Sequence, residues 1–245
     1  MSEAQSAALL VIGNELLSGK FEERNVAVLA RLLFELGIKL QRVVVCPDEV
    51  EVIASDLRTL GAGHDYLFTS GGVGPTHDDV TMEGVAAAFE APLERISELE
   101  DLLRGFFGPQ VTEHHLRMAD LPRGVELLWA DDVRWPVPRL GNVYILPGLP
   151  EIFAMKMPVL KAHLPAGPPF VSRQVRTRSD EGRMAPTLRG LAERFPQVRI
   201  GSYPLWGQDA KLIVSFDGRS RELVERAARA FVEAVPADEL MDQEP

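Results

Sequence analysis

The most constraining feature of this sequence is a threefold alternation of short apolar runs with amphipathic runs. Residues 7–12, 43–45 and 66–69 are almost wholly apolar, and each run is followed by apolar residues at helical spacing. A continuous apolar run is typical of a strand covered on both faces, and strands that alternate with helices favour a parallel sheet. The sequence therefore predicts an α/β fold of three layers, with helices on both faces of a mainly parallel sheet.

A segment rich in proline and glycine, residues 164–169, interrupts this pattern. Such a segment is typical of a stiff linker, so we predict one domain over residues 1–168 and another over residues 169–245. In the second domain the pattern predicts strands at 171–178, 198–203 and 210–216, and helices at 182–195 and 220–235. These elements make a small β-α-β-β-α unit.

Composition excludes several classes of protein. The net charge of −10 disfavours nucleic acid as a partner, because binding to it depends on neutralising phosphates. Cys46 is the only cysteine, which excludes an intrachain disulfide and a cysteine-based metal cluster. No apolar run reaches the roughly 18 residues of a membrane span, and the first residues lack a basic signal region. We therefore expect no membrane association and a cytoplasmic location.

The stretch 69–81 carries the strongest indication of a ligand site. It leaves a predicted strand, passes through Gly71, Gly72 and Gly74, and enters a predicted helix, where free amides favour an anion. Two carboxylates, Asp78 and Asp79, stand at the helix start, as a divalent cation bridging them to a phosphate would require. The alternative is a tight turn with one aspartate as an N-cap.

Two further turns follow predicted strands. Gly13 opens the loop at residues 13–19, and Pro147 with Gly148 follows the run at 143–146. In an open α/β sheet, ligands bind at these strand ends. The alternative for the second turn is a plain strand-to-helix turn with Pro150 at the first helical position, which would be preferred if the other glycine turns were absent. At two helix starts the sequence also predicts N-caps, Asn25 and Asp48, the latter with Glu51 in a capping box.

Taken together, these motifs resemble a known superfamily. The loop 13–19, the motif Gly-Gly-Val-Gly-Pro-Thr-His-Asp-Asp-Val-Thr at 71–81 and Pro-Gly-Leu-Pro at 147–150 occur in that order. They are similar to the molybdopterin-binding domain of MoaB and MogA, of the N-terminal part of competence-damage-inducible protein A (CinA) and of eukaryotic FAD synthases. Residues 46–50 and 201–206 are similar to the FAD synthase segment, and the C-terminal unit resembles the KH-like module of CinA.

The resemblance implies a layered α/β/α sheet with its site at the strand ends. It implies roles for Asp48 and Asp79 in handling a pterin, and in CinA-like members a metal-dependent cleavage of the pyrophosphate of ADP-ribose or FAD. It does not extend to the adenylyl-transferring domain of FAD synthases, so FAD synthesis by this chain alone is not expected.

From these observations we predict a metal-dependent nucleotide pyrophosphatase that uses Mg²⁺, Mn²⁺ or Co²⁺. The predicted catalytic residues are Asp79, Asp48 and Glu15, with Glu15 as general base, and Asp78 and Asp79 are the predicted metal ligands. The predicted residues that bind the nucleotide or pterin are Gly13, Gly71, Gly72, Gly74, Pro75, Thr76, Pro147 and Gly148. Two alternatives stay open: binding of molybdopterin or a nucleotide without hydrolysis, and an oligomeric scaffold. We also expect a homo-oligomer.

Overall fold

The computed structural model describes residues 5–241, and the chain divides into two compact units, Met1–Gly167 and Pro168–Pro245. The predicted boundary after residue 168 lies one residue from this division. Within residues 5–241, no helix is long and apolar enough to cross a membrane.

The first unit contains eight strands and eight α-helices within the described residues. The strands are β1 (Ser6–Ile12), β2 (Lys39–Cys46), β3 (Tyr66–Ser70), β4 (Leu93–Arg95), β5 (Asp120–Pro122), β6 (Glu126–Leu128), β7 (Val137–Leu140) and β8 (Val143–Tyr144). The helices are α1 (Asn14–Leu17), α2 (Asn25–Glu35), α3 (Val50–Gly63), α4 (Thr81–Ala88), α5 (Ser97–Phe107), α6 (Glu113–Leu116), α7 (Pro150–Met155) and α8 (Met157–His163). Two short 3₁₀ turns, Gly108–Gln110 and Arg117–Ala119, flank α6.

The six-stranded sheet of this unit has the order β2-β1-β3-β8-β7-β6. Its first four strands are parallel, and β7 and β6 extend it in antiparallel pairing. The prediction of a mainly parallel sheet is confirmed.

Alternate residues of β1 explain the three layers. Ala7, Leu9 and Val11 are buried in one core, which also contains Leu29 of α2 and Leu160 of α8. The residues between them, Ala8, Leu10 and Ile12, are buried in a second core with Ile53 and Leu57 of α3 and Val85 of α4. Because side chains alternate across a strand, a wholly apolar β1 packs against helices on both faces, as its sequence predicts.

The sequence pattern of residues 93–119 predicts helix, and the structure differs from that prediction. Only α5 and the short α6 are helical, and β4 pairs with β5 in a separate two-stranded sheet. Leu99 and Leu103 of α5 pack with Leu116 and Leu121 in a small core of their own. This segment therefore forms a subdomain beside the main sheet.

The N-caps predicted at α2 and α3 are wrong, and so is the alternative in which an aspartate caps α4. The capping positions are Arg24, Glu49 and Val80, and none has a side-chain capping hydrogen bond. Asn25, Asp48 and Asp79 instead direct their polar groups to the turns at the strand ends. At α2 the Glu23 carboxylate takes over the capping function, because it accepts from the amides of Asn25 and Val26. The side chains of Asn25, Asp48 and Asp79 therefore form hydrogen bonds within the loops at the strand ends and do not cap helices.

The second unit matches its predicted element order. It consists of β9 (Val171–Thr177), α9 (Glu181–Arg194), β10 (Arg199–Pro204), β11 (Leu212–Gly218) and α10 (Arg221–Ala234). The strands form an antiparallel sheet in the order β10-β11-β9. Its core includes Leu191, Phe216 and Phe231, and Asp180 and Ser220 cap the two helices through their side chains.

Candidate functional site

A cavity of about 1520 Å³ opens at the carboxyl ends of the parallel strands in the first unit. The loops after β1, β2, β3 and β8 all line it, as expected for a ligand site in an open α/β sheet. The predicted site residues that it brings together are Glu15, Asp48, Gly71, Gly72, Gly74, Pro75, Thr76, Asp78, Asp79, Pro147 and Gly148. Gly13 does not line the cavity, and its amide donates to the Cys46 carbonyl oxygen at 3.1 Å.

The glycine turn after β3 needs glycine for reasons internal to the protein. Gly71 and Gly72 have φ values of 111° and 63°, which side chains rarely adopt. A Cβ atom on Gly71 would lie 2.2 Å from the Ile12 carbonyl oxygen, and one on Gly72 would lie 2.4 Å from Thr81 Oγ1. The turn after β8 lies against the turn after β3, because a Cβ atom on Gly148 would lie 3.1 Å from the Gly71 Cα. The two turns are therefore packed against each other.

The same turn contains backbone donors without a protein acceptor within residues 5–241, on residues that line the cavity. Among the described residues, no protein group accepts a hydrogen bond from the amides of Gly72, Val73 and Gly74, and all three residues line the cavity. Consecutive free amides in a turn with positive φ make a concave site for an anion. Binding of a phosphate at this turn stays a prediction, and the amides of Gly72, Val73 and Gly74 are the donors that it would use.

Asp79 closes the turn from within. Its Oδ2 atom accepts from the Thr76 amide at 2.9 Å and from the Thr76 hydroxyl. The Thr76 side chain also lies within hydrogen-bonding reach of the exposed Asp78, and this contact lowers the pKa of the Asp78 carboxyl group. One oxygen of the Asp79 carboxylate is therefore already engaged within the turn.

Arg117 holds the outside of this turn. Its guanidinium donates to the carbonyl oxygens of Thr76 at 3.1 Å and Asp79 at 3.4 Å, and to Glu83 at 2.5 Å. Both carbonyl oxygens are thus bound to Arg117, which does not line the cavity. The planar fork of an arginine can contact several acceptors at once, so Arg117 fixes the orientation of the peptide groups in the turn.

Asp48 and Glu15 come from the neighbouring strand ends. The Asp48 carboxylate accepts from the Asn14 amide at 2.8 Å, which ties the end of β2 to the loop after β1. The Glu15 carboxylate folds back over Gly13, since a Cβ atom there would lie 2.5 Å from Glu15 Oε1. Both residues line the cavity with Asp79.

Asn25 joins the turns after β3 and β8. Its side-chain nitrogen donates to Ser70 Oγ at 2.9 Å and to the Gly148 carbonyl oxygen at 2.7 Å. Its Oδ1 atom is buried and has no hydrogen-bond partner among the described residues. The residue predicted to cap α2 is therefore a brace between two parts of the site.

The other end of the cavity is apolar. Phe106, Trp135, Met155 and Ile152 line it, and the rings of Phe106 and Trp135 meet edge to face with centroids 5.6 Å apart. Lys156 also lines this end, although its side chain is buried. Sequence patterns give no indication of this end, because its residues come from α5, from the loop before β7, from α7 and from the break between α7 and α8.

The carboxylates fit a divalent ion only if the ligand completes its coordination. Within residues 5–241, no group of three or more carboxylate, imidazole or thiol side chains is arranged to hold an ion. Mg²⁺ commonly takes one or two protein carboxylates together with phosphate oxygens, and the side chains of Asp48 and Asp79 are suited to that arrangement. Asp78 is a less favourable ligand because its side chain is 62% exposed and directed towards His77.

Comparison with known proteins identifies both units. Residues 8–166 match the family described as "Probable molybdopterin binding domain", and residues 169–244 match "FAD synthase, middle domain". A protein of Archaeoglobus fulgidus is 31% identical over 92% of this chain and 96% of its own length. A probable FAD synthase of Caenorhabditis elegans is 30% identical over 95% of this chain but only 50% of its own.

Among solved structures, the protein CinA from Thermoplasma acidophilum has a TM-score of 0.58. The CinA structure is 29% identical to this chain, and the match covers 66% of this chain and 96% of the CinA chain. The chain thus spans about half of the FAD synthase that it matches, and nearly all of the archaeal protein. It belongs to the molybdopterin-binding domain family.

Proposed function

We propose that this chain hydrolyses the pyrophosphate bond of a dinucleotide such as FAD or ADP-ribose with the help of a divalent ion. The observation that carries the proposal is the placement of three free amides and the carboxylates of Glu15, Asp48 and Asp79 around one cavity. The names of the relatives support a nucleotide-related role, since they include a probable FAD synthase.

In this proposal the chain's residues bind and orient the reacting groups. The amides of Gly72, Val73 and Gly74 donate to one phosphate of the substrate, and Asp48 and Asp79 hold the ion. When bound, a divalent ion neutralises phosphate charge and lowers the pKa of a water molecule. Glu15 accepts a proton from the attacking water as it bonds to phosphorus. The phosphoanhydride P–O bond breaks, and two monophosphates leave.

The test is release of mononucleotides from FAD and ADP-ribose in the presence of Mg²⁺, Mn²⁺ or Co²⁺. Asp79→Asn and Asp48→Asn each remove one charge at the site, so we expect turnover to fall at least ~100-fold, or about 2.7 kcal/mol of transition-state stabilisation. Asp101→Asn makes the same charge change on the exposed surface of α5 and should leave turnover unchanged. A wild-type protein that releases nothing with any of the three ions contradicts the proposal.

Binding without hydrolysis is the second candidate, with a molybdopterin or nucleotide as ligand. It is favoured by two observations: the described residues include no three-donor metal group, and Asp79 is partly engaged in its own turn. Ligand-induced thermal stabilisation that needs no ion and is accompanied by no product would support this candidate over hydrolysis.

A further inference from the structure

Lys156 is a buried cation with no acidic partner. It lies at the junction of α7 and α8, its relative exposure is 7%, and it lines the cavity. Its Nζ atom donates to the carbonyl oxygens of Trp135 at 2.8 Å and Pro136 at 3.1 Å. No carboxylate within residues 5–241 forms an ion pair with it.

Such a placement is costly for the protein. Burial lowers the pKa of Lys156 to about 8 by desolvation of the ammonium group. An ammonium has three N–H donors, and the two carbonyls use two of them, so one donor remains for a group in the cavity. A methionine or leucine in this place would fill the space without the desolvation cost, but it would leave the carbonyl oxygens of Trp135 and Pro136 without this donor. Packing alone therefore does not explain the lysine.

Exposed apolar side chains line the same cavity as this donor. Phe106 and Met155 are 53% and 61% exposed, although both are large and apolar. Further exposed apolar side chains of the cavity lining are Phe21, Leu149 and Ile152. Exposed apolar groups concentrated around one cavity indicate a surface that a ligand covers. A cavity wall with aromatic side chains and one directed donor suits a planar ring with a hydrogen-bond acceptor on its edge.

We propose that Lys156 is the residue that recognises the ring of the ligand, by donating a hydrogen bond to a carbonyl oxygen of a fused heteroaromatic ring of the flavin or pterin type. Phe106, Trp135 and Met155 form the apolar wall against which the ring packs. The inference rests on the proposed function in one respect, namely that the cavity takes a phosphate-bearing small molecule. It adds that carbonyl-bearing rings are preferred to adenine, which has no carbonyl group.

The helix geometry agrees with a ring site separate from the phosphate turn. Six residues of α7, Pro150–Met155, separate the Gly148 turn from Lys156. At a rise of roughly 1.5 Å per residue, this corresponds to roughly 9 Å along the helix axis. A sugar or sugar alcohol between a phosphate and a ring bridges a separation of this order.

The experiment measures equilibrium binding without added metal, so that it does not depend on turnover. The probes are riboflavin, which has the ring and no phosphate, adenosine, and inorganic pyrophosphate, which has no ring. The variants are Lys156→Met, Lys156→Gln and Lys161→Met, the last being an exposed lysine of α8 that pairs with Glu35. Retained pyrophosphate binding also reports that a variant is folded.

We expect the wild type to bind riboflavin more tightly than adenosine, and both Lys156 variants to bind riboflavin about tenfold more weakly, or about 1.4 kcal/mol. Pyrophosphate binding should stay within about twofold in all variants, and Lys161→Met should behave as wild type. Three results overturn the inference: no riboflavin binding by the wild type up to about 1 mM, unchanged riboflavin binding in the Lys156 variants, or an equal loss for pyrophosphate. If riboflavin binding depends on Lys156 but the protein hydrolyses no dinucleotide, only the proposed function is contradicted.

Discussion

The two ends of the cavity are built in different ways. At the turn end, main-chain groups face the ligand space, and the side chains of Asp79, Arg117 and Asn25 hold that main chain in place. At the apolar end, side chains such as Phe106 and Met155 face the space directly and are half exposed. A site made of backbone is rigid and demands particular residues for its geometry, whereas a wall made of exposed side chains contributes little to folding. The two ends should therefore respond differently to mutation.

The largest expected effect on stability is at Gly71. In Gly71→Ala the methyl group meets the Ile12 carbonyl oxygen and the positive φ is strained, so unfolding should be easier by about 4 kcal/mol and Tm lower by about 10 °C. Gly105→Ala is the matched control in α5, where no heavy atom lies within 4 Å, and it should raise stability slightly.

Phe106→Ala tests the other end in the same melting experiment. Since Phe106 is 53% exposed, its loss should cost less than about 1 kcal/mol in folding. If Gly71→Ala melts as wild type while Phe106→Ala unfolds, the contrast between a rigid turn and a dispensable wall is wrong.

The next effect concerns pH and Lys156. The folded protein releases the Lys156 proton near pH 8, and the unfolded chain releases it near its ordinary value of 10.5. Between these values the unfolded chain binds more protons, so this residue makes the fold more stable as pH rises. Wild-type stability minus that of Lys156→Met should increase by about 2 kcal/mol from pH 8 to 10.5, as measured by urea denaturation.

Two controls isolate this effect. Burial raises the pKa of Cys46 to about 12, which destabilises the fold at high pH, but this contribution is the same in both proteins and cancels. Lys161→Met removes an exposed lysine and should show no such pH-dependent difference. A flat difference for Lys156→Met as well would mean that the ammonium of Lys156 is well solvated, and the ring subsite would lose one of its supports.

The turn end of the cavity could be predicted from the sequence to a greater extent than the apolar end. The turn end is a contiguous stretch of chain after a buried strand, so its position at a strand end and its glycine requirement follow from local rules. Asn25 and Asp48 were recognised as turn or cap residues, but their partners, Gly148 and Asn14, lie far away in sequence. Only the folded chain shows those contacts.

The apolar end could not be predicted. Lys156 and its acceptor Trp135 are 21 residues apart, and Phe106 belongs to a subdomain that includes β4, where the sequence pattern predicts helix. A lone lysine after a helical segment is usually solvated, and its burial depends on packing that has no local pattern. The periodicity of apolar residues is sufficient to predict the fold class, whereas the apolar end of the cavity is visible only in the tertiary structure.

A smaller effect separates the two roles of Asp79. In Asp79→Ala the Thr76 amide loses its acceptor, so stability should fall by about 1 kcal/mol. Asp79→Asn keeps a side-chain oxygen that can accept from the same amide, and its melting temperature should lie within about 2 °C of wild type. Equal destabilisation by both variants, measured by thermal melting, would show that the charge and not the hydrogen bond holds the turn.

The smallest expected change in stability, with a disproportionate effect on the site, is at Arg117. Arg117→Lys keeps the ion pair with Glu83, but an ammonium cannot reproduce the planar fork that also reaches the Thr76 and Asp79 carbonyls. Because this pair is about one-third exposed, stability should fall by less than about 0.5 kcal/mol. The loosened turn should nevertheless weaken pyrophosphate binding about fivefold and leave riboflavin binding unchanged. Arg123→Lys alters an exposed pair with Glu94 elsewhere in the unit and is the control. If Arg117→Lys weakens both ligands equally, the two ends of the cavity are mechanically coupled and do not form separate subsites.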